Sequence, residues 1–362
     1  MSYLANCWYM GAWTDEVEDS GLLARQLLDQ PIVFFRDGEG QVSALFDRCP
    51  HRFAPLSKGR VADGILTCGY HGLAFNGDGT CAHNPHGAPL RNLSVRRYPV
   101  VEAHRAIWIW MGDPALADPA SIRDLSFLAT APDTAFSKGY LHGEGNYLLY
   151  VDNILDLTHV DFLHATTLGS GAFTRTRAQV SDIDGHIRIR RDCIDEVPSP
   201  LMRKIRGITE ADRVDYWNTV EWSAPAVMTL SGGNVPTGED RDGPHNNMNT
   251  MNVHIMTPET SRTTHYFFAS TRDFAVEDGA FNTHFAETRN TIFSTEDEPM
   301  IQAQQQRMGD ADFWELQPQL LRIDEGSVRV RRKLSQMIAA EAETESEGQD
   351  QPVAHFAGAD DR

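Results

Sequence analysis

The segment from Cys49 to His71, CPHRFAPLSKGRVADGILTCGYH, contains two cysteines and two histidines in two short pairs. The first pair is Cys-x-His, and the second pair, Cys-x-x-His, follows after sixteen intervening residues. Cysteine and histidine at such spacings predict a metal site, to which each pair would contribute one thiol and one imidazole. Pro50 and the nearby glycines are typical of tight loops at the ends of β-hairpins.

A zinc ion is one candidate for these four ligands, but Cys-x-His is tighter than the usual spacing of zinc ligands in proteins. The alternative is a [2Fe-2S] cluster in which two imidazoles replace two thiolates on one iron, which raises the reduction potential. The pairing of one cysteine with one histidine in each loop favours the cluster. We therefore expect Cys49, His51, Cys68 and His71 to hold a centre that passes single electrons.

The composition bounds the class of protein. A chain of 362 residues with 41% hydrophobic and 23% charged residues is long enough for two folded domains. The formal net charge of -19 argues against nucleic acid as a partner. No apolar run is long enough for a membrane span, and the N-terminus lacks the pattern of a signal peptide. Five cysteines, an odd and small number, indicate a reducing compartment, so we expect a cytoplasmic protein.

Short strand-like runs joined by glycine turns fill the first third of the chain, and the proline-containing segment 113–125 is the best candidate linker. Longer helical and strand-like patterns follow it. The expected strand-like runs are 186–193, 219–232 and 251–271, and the expected helices are 146–165, 278–308 and 315–341. We therefore predict an α+β protein with an all-β domain (1–114), a larger α+β domain (115–338) with an antiparallel sheet and flanking helices, and an acidic, disordered tail (339–362).

A second metal site is suggested by the segment 146–165, NYLLYVDNILDLTHVDFLHA, which carries His159 and His164. Five positions apart on an ideal helix, the two rings would point about 140° away from each other. A bulge or a helix end near 160–164 would bring both to one metal ion. Two histidines and one carboxylate form the usual ligand set of non-haem Fe(II). Glu296, Asp297 and Glu298 offer the carboxylate, and their sequence positions alone do not choose between them.

The motifs CPHR and CGYHG carry the Rieske signature, and the segments VDNILDLTHVDFLH and HIMTPETSRTTHYFF extend the similarity over nearly the whole chain except its acidic end. Together they resemble the Rieske non-haem iron oxygenases, in particular the oxygenase components of the vanillate and dicamba O-demethylase group. The resemblance implies that the N-terminal all-β domain is a Rieske domain. It also implies that His159, His164 and Asp297 bind a mononuclear Fe(II) ion.

The resemblance further implies a homotrimer in which Asp156 connects the Fe(II) centre with His71 of a neighbouring subunit, while Asn153 assists beside it. Electrons would come from NAD(P)H through a separate ferredoxin or reductase, since the chain carries no dinucleotide or flavin motif of its own. Basic residues near the two loops are candidates for docking this partner, although ordinary surface solvation would explain them equally well. These residues are Arg52, Lys58, Arg60, Arg91, Arg96 and Arg97.

The activity implied by the resemblance is oxidative O-demethylation of a methoxylated aromatic acid of the vanillate or methoxybenzoate type, with O2 as oxidant and formaldehyde as product. Ring hydroxylation or dihydroxylation is the alternative, and a Rieske electron carrier is the third possibility. His254 matches a histidine that contacts the aromatic acid in the dicamba enzyme. Leu230 stands near the place of that enzyme's pocket asparagine, which argues against an identical substrate. We expect the pocket to be lined by 219–232, 251–270 and 281–293.

Overall fold

The computed structural model describes residues 3–88, 92–241 and 248–349. Its first part is an all-β domain, as predicted, with one short helix, α1 (Thr14–Ser20), among the described residues. The strands are β1 (Trp8–Trp13), β2 (Leu23–Leu27), β3 (Gln30–Arg36), β4 (Val42–Phe46), β5 (Arg60–Ala62), β6 (Ile65–Thr67), β7 (Ala74–Phe75), β8 (Cys81–His83), β9 (Arg97–Tyr98), β10 (Val100–Ala103) and β11 (Ala106–Trp110). They form three antiparallel sheets in the orders β1-β11-β10, β2-β3-β4-β9 and β5-β6-β7-β8.

The sheet β5-β6-β7-β8 positions the two metal-binding loops. The first loop precedes β5 and the second connects β6 to β7, so both lie beside this small sheet. Beneath them, Val33, Phe35 and Phe75 are fully buried in one apolar cluster that includes Cys49 and Cys68. This packing fixes the two thiols in a dry environment.

The predicted linker consists of two short 3-10 turns, Pro114–Leu116 and Pro119–Ser121. The carboxylates of Asp113 and Asp118 each accept a hydrogen bond from the backbone N–H two residues further on, at 2.9 Å in both cases. An aspartate cap followed by proline is a strong start for a turn and a poor start for a strand. The exact domain boundary at residue 114 stays a prediction.

The second part contains one antiparallel sheet of seven described strands in the order β12-β18-β17-β16-β15-β14-β13. Its strands are β12 (Phe136–Gly143), β13 (Gln179–Ile183), β14 (His186–Glu196), β15 (Val214–Ser223), β16 (Val227–Pro236), β17 (Met248–Pro258) and β18 (Thr264–Arg272). The helices are α2 (Ser126–Thr130), α3 (Tyr147–Leu155), α4 (Val160–Leu163), α5 (Ala172–Arg175), α6 (Pro200–Arg206), α7 (Gly279–Ile292), α8 (Glu298–Met308) and α9 (Glu325–Gln349). A π-helical turn (Phe293–Asp297) joins α7 to α8. The predicted α+β class, with an antiparallel sheet and flanking helices, is confirmed.

Two of the predicted strand-like runs are hairpins. The run 219–232 contains the end of β15 and most of β16, and the run 251–271 contains most of β17 and β18. Apolar residues continue on both sides of each turn, so periodicity alone does not separate the two strands. The turns fall where proline occurs in the sequence, at Pro225 and just after Pro258.

The acidic end of the chain differs from the prediction of a disordered tail over 339–362. Helix α9 continues to Gln349, because alanine and glutamate are good helix formers. The carboxylate of Glu341 accepts hydrogen bonds from the backbone N–H groups of Ala5 (2.7 Å) and Asn6 (2.6 Å), which ties the helix to the first domain. Residues 350–362 lie outside the described residues.

Candidate metal centres and active site

The two loops of the first domain, 49–54 and 68–73, share one hydrogen-bond pattern. In each loop the cysteine N–H donates to the carbonyl five residues on, at 2.8 Å, and the N–H four residues on donates back to the cysteine carbonyl, at 2.9 and 3.1 Å. The fifth residue of each loop, Phe53 or Gly72, has a left-handed backbone with φ of 61° and 74°. Glycine adopts this conformation freely, and the second loop uses it there. The two cysteines therefore occupy the same position in two loops of the same backbone pattern.

The two loops contribute two buried thiols and two imidazoles that meet edge to face. Cys49 and Cys68 are each 2% exposed, and the ring centroids of His51 and His71 lie 4.7 Å apart. Within the described residues, three or more metal-binding donor atoms come within 4.8 Å of one another only at His159, His164 and Asp297. The four loop residues thus lack the compact shell that one zinc ion needs, whereas a [2Fe-2S] cluster holds its two ligand pairs on separate irons.

The segment that carries His159 and His164 is interrupted twice, at Asp156 and at the end of α4. Helix α3 ends at Leu155, and Asp156 takes an extended conformation (φ −113°, ψ 98°) before a 3-10 turn leads into α4. The Asp156 carboxylate stabilises the break by accepting hydrogen bonds from the backbone N–H (3.0 Å) and hydroxyl (2.7 Å) of Thr158. The expected helix end near 160–164 is present, because α4 ends at Leu163 with His164 as its C-cap, and the break at Asp156 is a second irregularity that the sequence did not indicate.

The break brings the two imidazoles together with their centroids 5.2 Å apart. Each ring is oriented by a hydrogen bond from Nδ1–H, which His159 donates to the carbonyl of Asp156 (2.6 Å) and His164 donates to the carboxylate of Glu296 (2.6 Å). Both Nε2 atoms consequently face Asp297, at 3.5 and 3.1 Å from its Oδ1. Such outer hydrogen bonds fix the tautomer that a metal-binding histidine needs.

The three adjacent acids in 296–298 have different environments. Asp297 is 5% exposed and faces the histidines, while Glu296 binds His164 from behind and Glu298 accepts a hydrogen bond from the hydroxyl of Tyr150 (2.5 Å). The π-helical turn sets these directions, because its extra residue per turn rotates Asp297 toward the histidine pair. Sequence reasoning missed the role of Glu296, although its position beside Asp297 was a usable signal.

Hydrogen bonds keep Asp297 ionised. Burial alone would raise the pKa of this carboxyl, but hydrogen bonds from His159, His164 and Asn153 outweigh it and lower the pKa to about 2. The Asn153 amide donates to Asp297 Oδ1 at 3.0 Å. An ionised carboxylate and two imidazole nitrogens within 4.8 Å of one another match the donor set of mononuclear Fe(II).

Two concave regions meet at this triad. On one side lies an open groove of about 690 Å³, lined by Asn153, Asp156 and His159 among others. On the other side lies a largely apolar cavity of about 250 Å³, lined by Asn153, His159, His164 and Asp297 among others. Asn153 and His159 line both, so these two residues form part of the wall between the groove and the cavity.

His254 lines the cavity, as do Leu230 and residues of α7. It is 4% exposed, and its Nδ1 lies 2.7 Å from the hydroxyl of Tyr266. Burial, reinforced by the positive charge of Arg289, lowers the pKa of His254 to about 3, so its imidazole is neutral. The predicted pocket segments contribute to this wall, but Arg289 was not among the residues singled out from the sequence.

Asp156 has a buried cationic neighbour that sequence reasoning also missed. Arg191 lies on β14, and its side chain is 2% exposed. Its guanidinium donates a hydrogen bond to Asp156 Oδ1 at 3.3 Å. Burial lowers the pKa of Arg191, whereas the Asp156 carboxylate opposes that shift. Arg191 is one of three arginines on β14, and the sequence does not indicate which of them makes this contact.

Two family models match the chain. The Rieske [2Fe-2S] domain matches residues 7–99, and the vanillate O-demethylase oxygenase C-terminal domain matches residues 144–340. The chain therefore belongs to the Rieske non-haem iron oxygenases of the vanillate O-demethylase type. It is the terminal oxygenase component of such a monooxygenase, and its cofactors are a [2Fe-2S] cluster and a mononuclear non-haem iron.

Individual relatives are similar over almost their full length. The oxygenase component of chloroacetanilide N-alkylformylase from Rhizorhabdus wittichii is 38% identical over 98% of this chain and 100% of that protein. The oxygenase component of dicamba O-demethylase from Stenotrophomonas maltophilia is 37% identical over 94% of this chain and 100% of that protein. The crystal structure of dicamba monooxygenase bound to 3,6-dichlorosalicylic acid superposes with a TM-score of 0.87 at 36% identity, over 94% of this chain and 99% of that one.

None of the helices within the described ranges has the length and apolar character needed to cross a lipid bilayer.

Proposed function

We propose that this oxygenase removes the methyl group of a methoxylated aromatic acid of the vanillate or methoxybenzoate type. The observation that carries the proposal is the position of His159, His164 and Asp297 in the wall of a partly open, largely apolar cavity. A planar ring is well accommodated by such a cavity, and a metal ion bound there would have open positions on the cavity side. The similarity to dicamba O-demethylase supports the same reaction class.

The reaction balances with one O2, two electrons and two protons for each methoxy group, and yields a phenol, formaldehyde and water. When bound, the cluster supplies single electrons and the Fe(II) ion supplies the site of dioxygen activation. We propose that His159, His164 and Asp297 are its ligands, oriented by Asp156, Glu296 and Asn153 through the hydrogen bonds described above. The apolar lining excludes water from the reacting methyl group.

We propose Cys49, His51, Cys68 and His71 as the cluster ligands and Asp156 as the entry point for electrons. Asp156 lines the groove but not the cavity, whereas His164 and Asp297 line the cavity but not the groove. Electrons and substrate would then reach the metal from different directions.

We further propose a homotrimer in which the Rieske loops of one copy dock in the groove of the next. Exposed aromatic rings flank the Rieske histidines, namely Phe53 (68% exposed) and Tyr70 (60% exposed). Met300 and Leu321, which line the groove, are likewise exposed apolar side chains. Exposed apolar patches on both surfaces are typical of a protein interface.

A ferredoxin or reductase would deliver the electrons from NAD(P)H. We propose that Arg52, Lys58 and Arg60, all exposed near the Rieske loops, contribute to its docking surface. Arg96 and Arg97 are exposed as well, and Arg91 lies outside the described residues. We propose the reducing cytoplasm as the compartment, which the small, odd number of cysteines supports, and none of the described cysteines forms a disulfide.

The test is aerobic incubation of the purified oxygenase with NAD(P)H, a Rieske-oxygenase reductase and a panel of methoxybenzoates. We expect one formaldehyde and one phenol for each O2 consumed with at least one member of the panel. A hydroxylated ring without formaldehyde would support ring hydroxylation instead. Absence of O2 uptake with every aromatic compound would leave only an electron carrier.

N-dealkylation is the second candidate, favoured by the similarity to chloroacetanilide N-alkylformylase over nearly the whole chain. Removal of an alkyl group from nitrogen and from oxygen can both begin by hydroxylation of the adjacent carbon. Inclusion of N-alkyl anilides in the same panel distinguishes the two, since they release an aldehyde or its equivalent together with the N–H anilide rather than a phenol.

A further inference from the structure

Arg289 on α7 lines the same cavity as the metal triad. The residue as a whole is half-buried, but its three guanidinium nitrogens are shielded from solvent. None of these nitrogens has a hydrogen-bond partner among the described residues. A guanidinium carries five N–H donors, so this group has an unused capacity to bind an anion.

The surrounding residues compensate the charge of Arg289 only in part. Its Cζ lies 5.2 Å from the centroid of the Phe268 ring. This cation–π contact stabilises the charge by less than the loss of hydration on burial destabilises it. Among the described residues that line the cavity, Asp297 is the only acid, and a metal ion bound there would occupy it. The cavity therefore retains one positive charge that the described residues do not neutralise.

His254 presents a second donor toward the same space. Its imidazole is neutral, and the hydroxyl of Tyr266 contacts its Nδ1. This hydroxyl can donate its proton to Nδ1, and in that tautomer the proton of the neutral ring lies on Nε2. Nε2 has no partner in the described part of the chain. A guanidinium and a ring N–H together form a suitable receptor for one anionic group.

We propose that Arg289, with His254 beside it, binds the single anionic group of the aromatic substrate, a carboxylate or a sulfonate, and selects anionic over neutral ring compounds. This inference rests on the proposed function, because it assigns the substrate class of the same cavity. The anion supplies the missing counter-charge, and its binding orients the ring relative to the metal.

Calorimetric binding to the holoenzyme without reductant tests the receptor separately from turnover. The probes are 4-methoxybenzoate, 4-methoxybenzenesulfonate and the neutral 4-methoxybenzamide. We expect the wild-type protein to prefer at least one anion over the amide by about tenfold or more. Arg289→Gln should weaken binding of that anion by about 30-fold or more and leave the affinity for the amide within about threefold of the wild-type value.

Two further variants complete the design. Arg289→Lys keeps the charge and should recover part of the anion affinity, while Arg262→Gln, which alters an exposed arginine of another surface, should match the wild type. Equal binding of anion and amide by the wild type, or unchanged anion affinity in Arg289→Gln, would overturn the proposal. The wild-type comparison decides it even if Arg289→Gln fails to fold.

The two proposals fail in different ways. An anion preference that depends on Arg289, without formaldehyde release, would contradict the demethylation and leave the receptor in place. Formaldehyde release from acid and amide with equal efficiency would contradict the receptor and leave the demethylation in place.

Discussion

Asp156 shapes the site through its backbone as well as its side chain. Its extended conformation ends α3, its carboxylate holds the following 3-10 turn, and its carbonyl orients the ring of His159. The same carboxylate faces the groove and contacts buried Arg191. One residue thus connects the fold of the segment with the proposed route of the electrons.

Replacement of Asp297 by alanine should empty the mononuclear site, because two imidazoles alone bind Fe(II) weakly. Iron content is expected to fall from about three to about two per chain while the Rieske absorption is retained. Turnover should be lost. Glu287→Ala, which removes an exposed acid on α7, is the matched control and should keep the full iron content. Full iron and activity in Asp297→Ala would refute the ligand assignment.

Asp156→Asn should keep both metal centres yet lose nearly all turnover. The amide oxygen can still accept the N–H of Thr158, so the break in the backbone is preserved while the charge is removed. Metal analysis and stopped-flow oxidation of the reduced cluster measure the two effects. Asp184→Asn, in the turn between β13 and β14, is the control. Normal cluster oxidation in Asp156→Asn would exclude the carboxylate as the bridge.

At the level of elements, the π-helical turn between α7 and α8 separates three neighbouring acids into three environments. Three consecutive acids in the sequence predict a carboxylate ligand but do not show which of the three it is. An ordinary helical turn and a π-helical turn would direct different acids toward the histidines. The break at Asp156 is a similar case. The need for irregularity followed from the helical angle, but its position depends on the capping role of Asp156, which spacing does not reveal.

Glu296→Gln tests the support that this turn gives to His164. The amide keeps an acceptor in place but removes the charge that makes the imidazole more basic, so the affinity for Fe(II) should fall by roughly 10- to 100-fold. Competition with a chelator measures this affinity. Glu298→Gln, one residue further on and hydrogen-bonded to Tyr150, should leave it unchanged. Equal losses in both variants would point to a general effect on the turn.

At the scale of the whole molecule, two nearly independent sequence patterns predicted the two parts of the fold. The ligand spacing and turn glycines predicted the all-β domain, and the longer periodic segments predicted the sheet and helices that follow. The anion receptor was not predictable in this way. Arg289 and His254 are 35 positions apart, and only the fold, which packs α7 against β12 at the edge of the sheet beside β18 and β17, brings them to one cavity.

Salt should slow the reduction of the cluster by its partner protein if docking depends on Arg52, Lys58 and Arg60. The Debye length falls from about 10 Å at 0.1 M to about 3 Å at 1 M salt, which screens exposed charges. Stopped-flow reduction by the partner protein measures the rate. Reduction by dithionite is the control, because its rate does not depend on protein docking. A partner rate that is independent of salt would argue against electrostatic docking.

The most direct test of the account uses trimers mixed from two inactive variants. Asp297→Ala subunits keep the cluster but lose the mononuclear iron, and His71→Ala subunits keep the iron site but lose a functional cluster. If electrons cross from one copy to the next, random 1:1 mixing should restore about one quarter of the wild-type activity, since half of the iron sites are intact and half of those face an intact cluster. Affinity tags on the two variants verify the mixing. Mixed trimers without activity would contradict transfer between subunits, because no single subunit in them carries both centres.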